Sequence, residues 1–405
     1  MHYLNTVSLN EALECLLTHT TLPRRLEEAS LLDALGKVAG ETLLAQEDVP
    51  AFLRSTVDGF AVCARGTQGA SPQGPVPLLL LGECTMGERN PWSIHELQTV
   101  AVPTGGMLPK GADAMVMMED ARRLGPHVLV ERPARIHEHL IFPGDDLRCG
   151  APVVEQGTVL TGEDLAALAS VGYAQIPCIA PLRVALLSTG DELIEPGEAL
   201  PLGCVRDINR ILLAARLPKS CTVETYSRLL PDDPEAQKLA LWEAQQAADL
   251  ILVTAGSSAG ARDFTRRMME EAGAEILFHG LRLKPGKPTL AARLGEVPVL
   301  GLPGHPLSAL MAFELLGIPY IEQSLGIQSV RRCVPARLRE NVASSPGRLT
   351  CLFVTLSKGE EGLWATPIPQ QSALLSQWRK ASGYVLLPEA CEGLDEGAKI
   401  EVVLR

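Results

Sequence analysis

Three short apolar runs near the middle of the chain, each followed by a loop of small residues, constrain the fold more than any other feature. They are Val184–Leu187, Leu250–Val253 and Val297–Leu300. Helix signals accompany them, because Asp233-Pro234 places proline at a first helical position and Pro306 does the same after the third run. Short buried strands that alternate with helices are typical of a mostly parallel α/β sheet. We therefore predict an α/β domain over residues 177–325.

The flanking segments have the pattern of β-structure. Between residues 46 and 144, short apolar runs alternate with Gly/Pro turns, and strand-like runs return after residue 326. Both patterns predict small β domains. Near the N-terminus, Ser8 and Glu11 form a capping box that predicts a helix over residues 8–18. The fold class predicted from these patterns is α/β plus β in a multidomain chain.

Length and charge limit the classes of partner. With 405 residues, the chain exceeds the size at which single hydrophobic cores stop growing, so we expect several domains. The net charge of -12 argues against a nucleic-acid binder that relies on overall charge, because such domains carry a basic footprint. The longest apolar runs are too short to span a membrane, and no signal-peptide pattern is visible. The ten cysteines form no C-x-x-C pair and are typical of reduced thiols, which predicts a cytoplasmic location.

The loops after the three apolar runs are the first candidate ligand site. Ligands of an open parallel sheet bind outside the carboxyl ends of its strands, so we expect the loops to converge. Tight turns alone explain one such loop, whereas three together favour a ligand site. The usual phosphate motifs are absent, since no G-x-G-x-x-G occurs at these loops and Pro288 replaces the Ser or Thr of a P-loop.

Charged residues near these loops indicate two kinds of ligand. The loop Lys284-Pro285-Gly286-Lys287-Pro288 is stiffened by prolines and presents two cations, which suits phosphate or another oxyanion. Two solvated surface lysines explain this loop equally well when it is considered alone. Asp191, Glu192 and Asp263 are hard carboxylates of the kind that bind Mg²⁺, and their alternative role is helix capping.

Nine motifs, taken in order along nearly the whole chain, point to one known family. They are Ser55-Thr56-Val57-Asp58-Gly59-Phe60-Ala61, Thr104-Gly105, Gly144-Asp145-Asp146, Ser188 to Leu193, Asp207-Ile208-Asn209-Arg210, Asp232-Asp233-Pro234, Gly260 to Asp263, Lys284 to Pro288 and Gly301 to Gly304. The chain therefore resembles the molybdopterin molybdenumtransferase family, which includes MoeA and the gephyrin E domain. MogA-like and CinA-type proteins share the α/β region but lack the flanking β domains.

The resemblance implies four domains and an elongated homodimer. A discontinuous linker and dimerisation domain at residues 1–45 and 145–176 would accompany a β-rich domain at 46–144, a MogA-like α/β ligand domain at 177–325 and a C-terminal β-barrel-like domain at 326–405. The resemblance also implies an active site between the α/β domain of one subunit and the β-rich domain of the other.

The implied activity is that of a transferase in molybdenum cofactor biosynthesis. Its substrates would be adenylylated molybdopterin and molybdate or tungstate, AMP would be released, Mg²⁺ would assist, and a MogA-like adenylyltransferase is a candidate partner. The resemblance assigns metal binding to Asp191, Glu192 and Asp263. It assigns catalysis to Asp58, Thr104, Asp146, Glu192 and Asp263. It assigns substrate binding to Ser188, Thr189, Gly190, Asp232, Gly256, Ser257, Ser258, Lys284, Lys287, Pro303 and Ser376.

The chain also departs from the family's usual residues. His305 stands where the family usually has the Asn of Gly-Asn-Pro, and Phe353-Val354-Thr355 replaces a Phe-x-Arg pattern. The second change removes a positive charge from the predicted site. A non-catalytic molybdopterin-binding or scaffold protein is therefore the alternative function, and a nucleotide-processing hydrolase that uses only the α/β domain is a third hypothesis.

Overall fold

The chain folds into two compact units. The computed structural model describes residues 6–255, 261–329, 331–344, 346–360, 362–369 and 371–405, without the side chains of residues 261–264. The first unit comprises Met1–Glu41, Gln156–Thr161 and Gln175–Arg405, and the second comprises Thr42–Glu155 and Gly162–Ala174. Among the described residues, no helix combines the length and the apolar character that crossing a membrane requires.

The described residues contain eight α-helices and 28 strands. The helices are α1 (Leu9–His19), α2 (Gly162–Ser170), α3 (Asn209–Arg216), α4 (Pro234–Ala247), α5 (Ala261–Glu271), α6 (Pro306–Ala312), α7 (Ile318–Leu325) and α8 (Leu375–Lys380). The strands before residue 156 are β1 (Leu26–Ser30), β2 (Leu43–Leu44), β3 (Arg54–Ser55), β4 (Gly59–Val62), β5 (Val76–Glu83), β6 (Gln98–Val102), β7 (Ala114–Met117), β8 (Ala121–Leu124), β9 (His127–Val130), β10 (Leu140–Ile141) and β11 (Pro152–Val154). The later strands are β12 (Gln175–Ile179), β13 (Leu182–Thr189), β14 (Leu193–Ile194), β15 (Val205–Arg206), β16 (Thr222–Leu230), β17 (Leu250–Ala255), β18 (Glu275–His279), β19 (Leu283–Lys284), β20 (Leu290–Leu294), β21 (Val297–Leu302), β22 (Cys333–Leu338), β23 (Val342–Ala343), β24 (Leu349–Gly359), β25 (Gly362–Pro367), β26 (Gly383–Leu387), β27 (Gly393–Leu394) and β28 (Lys399–Leu404).

The predicted α/β sheet is confirmed. Its strand order is β16-β13-β17-β21-β20-β18, and the first four strands are parallel while β20 and β18 join antiparallel at one side. The three apolar runs form β13, β17 and β21, where Leu186, Leu252 and Leu300 are almost fully buried in one core cluster. Burial on both faces explains why these strands are continuous apolar runs rather than alternating patterns.

The C-terminal β domain is a closed barrel, which confirms the barrel-like form predicted for it. Strands β24, β25, β22, β28 and β26 follow one another, and the pairing of β24 with β26 closes the circle. Two-residue strand β19 of the α/β region pairs in parallel with β24. This pairing attaches the lysine-containing loop that follows β19 to the first strand of the barrel.

The second unit has the β-rich character that the sequence predicts. Its main sheet has the order β7-β4-β6-β5-β9-β8, and the short pairs β10-β3 and β11-β2 accompany it. Gly59 at the start of β4 is required by close packing, because a Cβ atom there would lie 2.0 Å from the carbonyl oxygen of Val116.

Two predicted helix starts are confirmed in atomic detail. In the capping box of α1, Glu11 N–H donates to Ser8 Oγ at 3.2 Å and Ser8 N–H donates to Glu11 Oε2 at 2.6 Å. At α4, Pro234 occupies the first turn and Asp233 accepts the N–H of Ala236 at 2.9 Å. These local interactions explain why both starts are visible in the sequence.

Candidate functional site

The carboxyl ends of β13 and β17 lie side by side, as the sequence predicts. Ser188 and Thr254 are register partners, and their hydroxyl oxygens are 2.8 Å apart. Ser188 and Thr189 are almost fully buried, so their side chains pack between strands. Gly190, which follows them, is also buried and turns the chain at a φ of 151°, so the exposed part of the loop begins at Asp191. A Cβ atom on Gly190 would lie 2.6 Å from the Glu192 carboxylate, so glycine lets that carboxylate fold back against the turn.

Three carboxylates gather next to this turn. Asp191 Oδ1 accepts the backbone N–H of Asp232 at 3.0 Å. Partial burial and the negative charges of Asp191 and Glu192 raise the pKa of Asp232. Asp191 and Glu192, which were predicted as strand-end carboxylates, therefore lie close enough to Asp232 to repel its charge, and a bound cation would relieve this repulsion.

The loop after β21 is anchored by the Asp207-Ile208-Asn209-Arg210 motif. Asn209 Nδ2 donates to the carbonyl of Gly304 at 2.8 Å. Buried Asp207 accepts the N–H of Asn209 at 3.1 Å and pairs with the guanidinium of Arg210. Burial alone would lower the pKa of Arg210, but hydrogen bonds to Asp207 and Glu195 outweigh it and raise that pKa. The motif is therefore an anchor that fixes the third strand-end loop.

A cationic pocket of about 250 Å³ lies beside the loop that follows β19. Lys284 and Lys287 line it together with Arg348, and Ser308 and Ser372 add hydroxyl groups. No acidic side chain is among the lining residues of this pocket. The sequence prediction of a cationic loop is thus extended by a third cation from the turn before β24.

Hydrogen bonds to two of its backbone carbonyls hold the lysine-containing loop in place. Thr289 donates its hydroxyl to the carbonyl of Gly286 at 2.7 Å, and Leu281 N–H donates to the carbonyl of Lys287 at 2.8 Å. Gly286 has a φ of 130°, and a Cβ atom there would lie 2.8 Å from the Leu283 side chain. Glycine is therefore needed for the loop to present its lysines along one wall of the pocket.

In the second unit, the structure brings Asp58 and Thr104 together. Asp58 Oδ1 accepts the backbone N–H of Thr104 at 2.8 Å, and both residues are exposed. The N–H of Gly105 donates to the carbonyl of Ser55 at 2.8 Å, and Ser55 Oγ donates to the carbonyl of Val57 at 2.6 Å. The Ser55–Ala61 motif and the Thr104-Gly105 turn thus form one polar surface, although 46 positions separate Asp58 from Thr104.

Comparison with known proteins decides the family. Three family models match successive parts of the chain: the MoeA N-terminal region (domain I and II) at residues 7–172, a probable molybdopterin binding domain at 185–323, and the MoeA C-terminal region (domain IV) at 335–404. A molybdopterin molybdenumtransferase of Haemophilus influenzae is 33% identical over 323 residues, which are 79% of this chain and 78% of that protein. The chain belongs to the MoeA family. Another molybdopterin molybdenumtransferase, from Synechococcus elongatus, is 31% identical and covers 98% of this chain and 99% of its own.

The solved structures agree with this MoeA assignment. A crystal structure of a molybdopterin biosynthesis MoeA protein from Pyrococcus horikoshii superposes with a TM-score of 0.86 and 33% identity. The match covers 99% of each chain. The MoeA fold, including the α/β domain and the closed C-terminal barrel, is therefore the fold of this chain.

Several residues predicted from the MoeA resemblance lie elsewhere or outside the described part. Asp146 lies in an exposed turn, where its N–H donates to the carbonyl of Val49 at 3.0 Å, and the structure gives it no hydrogen bond to Asp58 or Thr104. Ser376 is exposed on α8 and does not line the cationic pocket. Pro303 is buried in the loop that Asn209 anchors. The predicted site residues Gly256, Ser257 and Ser258, and the side chain of Asp263, fall outside the described residues.

The candidate site also contains residues for which no role was predicted from the sequence. Arg348 and Ser372 line the pocket from the C-terminal region, and Asn209 anchors the strand-end loop. Asn209 belongs to one of the nine motifs, although no role was predicted for it from the sequence. Neither Arg348 nor Ser372 belongs to any of the nine motifs.

The predicted metal site is incomplete in the described part of the chain. No group of three or more His, Cys, Asp or Glu residues is arranged there to hold an ion. The donor chemistry nevertheless fits Mg²⁺, because Asp191, Glu192 and Asp232 supply hard oxygens with mutual repulsion, and Mg²⁺ commonly keeps several waters. Asp191 and Glu192 are therefore the described residues that would hold such a cation.

Proposed function

We propose that this member of the MoeA family is a molybdopterin molybdenumtransferase of molybdenum cofactor biosynthesis, which inserts molybdate or tungstate into adenylylated molybdopterin with release of AMP. The observation that carries the proposal is the pocket lined by Lys284, Lys287 and Arg348 without an acidic side chain.

The three cations give the pocket its proposed role as an oxyanion site. Molybdate and tungstate are tetrahedral dianions, and a guanidinium with two ammonium groups offers donors from several directions. Near a protein surface, an ion pair at 4 Å contributes about 4 kcal/mol before desolvation is subtracted. Several such pairs favour a dianion over the monovalent anions with which it competes.

The strand-end carboxylates have the complementary proposed role. Asp191 and Glu192 would hold Mg²⁺, which when bound neutralises charge on the pyrophosphate of the adenylylated substrate. Gly190 leaves room for the Glu192 carboxylate beside the turn, and the N–H of Asp232 fixes the orientation of Asp191. Asp58 with Thr104 is proposed to take part in catalysis, as the family resemblance implies.

The remaining parts of the proposal concern organisation and setting. We propose the four domain ranges given above, a homodimer, and a MogA-like adenylyltransferase as the supplier of the adenylylated substrate. A cytoplasmic setting is supported by the cysteines, because all ten are free thiols and stable disulfides belong to oxidising compartments.

A reconstituted reaction tests the proposal directly. The full-length protein is mixed with adenylylated molybdopterin, molybdate and Mg²⁺, and AMP release is followed together with formation of the molybdenum cofactor. Both products are expected. Binding of the substrate without AMP release would instead support the alternative of a non-catalytic molybdopterin-binding or scaffold protein.

Two variants assign the activity to the described site. Lys287→Ala is expected to weaken molybdate binding roughly ten- to hundred-fold, because a hydrogen bond to a charged group contributes about 1.5–3 kcal/mol. Lys358→Ala removes an exposed lysine from β24 and serves as the matched control. Glu192→Gln is expected to abolish turnover with unchanged folding, and unchanged turnover would remove Glu192 from the mechanism.

A further inference from the structure

One contact at the edge of the cationic pocket involves a histidine that the proposed function does not use. His305 Nδ1 lies 2.8 Å from Ser372 Oγ. His305 immediately precedes α6 and is exposed, while Ser372 lines the cationic pocket. The N–H of Leu307 also donates to the carbonyl of Ser372 at 3.1 Å. The backbone of Ser372 is thus held independently, and His305 acts on its hydroxyl.

The protonation state of the imidazole decides what this hydroxyl can offer. A serine hydroxyl has one hydrogen to donate, and a neutral imidazole has one nitrogen that accepts. When Nδ1 accepts, the Ser372 hydroxyl donates its hydrogen to His305. The hydroxyl oxygen can then only accept hydrogen bonds from a ligand. When the ring is protonated, both nitrogens donate, so Nδ1–H must donate to Ser372 Oγ. The hydroxyl hydrogen is then free to donate to an oxyanion in the pocket.

The charged groups near His305 include the three cations of the pocket and the Asp207–Arg210 ion pair. Lys284, Lys287 and Arg348 line the pocket, and lysine and arginine side chains ordinarily keep their charge throughout the neutral range. On the α3 side, Asn209 contacts the preceding Gly304 through an uncharged amide, and Asp207 is already paired with Arg210. Histidine is the side chain that ordinarily changes charge between pH 5 and 8.

We propose that His305 is a positioning residue for oxyanion binding: its neutral ring carries the hydrogen on Nε2 and accepts from the Ser372 hydroxyl through Nδ1, whereas its protonated ring donates to Ser372 Oγ and leaves the hydroxyl hydrogen free to donate towards the pocket. The inference rests on the proposed function, because it deepens the role of the same pocket. It predicts that the pocket binds molybdate more tightly as the pH falls, with no change in the lysines or in Arg348.

Molybdate binding to the full-length protein, measured by calorimetry at about pH 6 and about pH 8.5, tests the proposal. Wild type is expected to bind roughly ten-fold more tightly at the lower pH, as one additional hydrogen bond to a charged ligand allows. His305→Asn, the residue usual in the family, bonds the hydroxyl without titrating and is expected to show the same affinity at both values. Ser372→Ala keeps the imidazole but removes the hydroxyl, so most of the pH dependence is expected to disappear.

Proton uptake provides a second measurement that does not depend on the folding of Ser372→Ala. Titrations near pH 7 in buffers of different ionisation enthalpy are expected to show fractional proton uptake with molybdate in wild type and none in His305→Asn. Sulfate, a dianion across this range, is the control probe and is expected to follow the same profile.

The outcomes separate this inference from the proposed function. Equal affinity at both pH values in wild type, or a pH dependence that persists in Ser372→Ala, overturns the role of His305 while the pocket stands. If the pH dependence persists in Ser372→Ala, the imidazolium attracts molybdate directly rather than through the hydroxyl. Failure of wild type to bind molybdate at either pH overturns the pocket assignment and the inference together.

Discussion

At the scale of single residues, the crowding of Asp191, Glu192 and Asp232 gives a prediction about pH. Partial burial of the carboxyl group and the two neighbouring charges raise the pKa of Asp232, although the residue as a whole is exposed. Folding thus favours its protonated form, a contribution that is present below the unfolded-state pKa and is lost as the pH rises through the folded-state pKa. Asp232→Asn is therefore expected to increase the free energy of unfolding at neutral pH by about 0.3 kcal/mol, a small gain because the group is exposed and screened. The gain should vanish in acid, and urea unfolding of this variant against the exposed-site control Glu224→Gln measures it.

The same variant also reports on the proposed cation. A ligand that binds only the folded state raises the free energy of unfolding, and the gain grows with ligand concentration and with affinity. Added Mg²⁺ is therefore expected to stabilise wild type more than Asp232→Asn, because the variant has less negative charge to neutralise. Equal stabilisation of the two proteins by Mg²⁺ would contradict a cation at these carboxylates.

At the scale of elements, one buried carboxylate connects the amino ends of the α/β strands. Asp249 precedes β17 and accepts the backbone N–H of Arg183 at 2.9 Å and its guanidinium at 2.8 Å, while Arg25 supplies a further ion pair. Burial alone would raise the pKa of Asp249, but the hydrogen bonds from Arg183 and Arg25 outweigh it and lower that pKa. The carboxylate therefore stabilises the fold above the unfolded-state pKa, and this contribution is lost as the pH falls through the folded-state pKa.

Removal of this charge should destabilise the α/β domain. Asp249→Asn is expected to reduce the free energy of unfolding by about 2 kcal/mol at pH 7, because two half-exposed arginines lose their buried partner. The loss should shrink at a second, strongly acidic pH below the folded-state pKa of Asp249, because the wild-type carboxylate is protonated there as well. Urea unfolding at both pH values measures it, with the exposed-residue variant Glu28→Gln as control. A loss that is the same at both pH values would show that the amide disturbs packing rather than charge.

Elements that depend on local sequence patterns could be predicted, whereas elements that depend on contacts between distant parts of the chain could not. The buried strands β13, β17 and β21 are apolar on both faces, so composition alone marks them. Strand β16 is not marked in this way because it lies at the edge of the sheet and mixes polar residues such as Ser227 and Arg228 with apolar ones, without a continuous apolar run or a regular alternation. Edge strands have one unpaired side and a weaker apolar signal.

The same distinction applies to the candidate site. The lysines of the cationic loop could be predicted because prolines and charges stand together in five consecutive residues. Arg348 could not, since it joins them only through the pairing of β19 with β24, about sixty positions apart in the sequence. Pairing register between distant strands depends on tertiary packing, so no local sequence pattern predicts that Arg348 joins the two lysines.

At the scale of the whole molecule, the two compact units have separate hydrophobic cores. Leu252 is fully buried in the core of the α/β domain, and Val100 is fully buried in the sheet of the second unit. Units that have their own cores can unfold as separate cooperative transitions. Differential scanning calorimetry of the full-length protein is therefore expected to show two transitions.

Core substitutions should assign the two transitions to the two units. Leu252→Ala is expected to cost about 2–5 kcal/mol and to lower one transition by several degrees, because the cavity that it leaves has no side chain to fill it. Val100→Ala should lower the other transition and leave the first in place. The exposed-site variants Leu202→Ala and Leu97→Ala, one in each unit, are the matched controls, since neither removes a buried side chain. A single transition that both core variants shift equally would contradict independent unfolding, because it would mean that the loss of either core unfolds the whole chain.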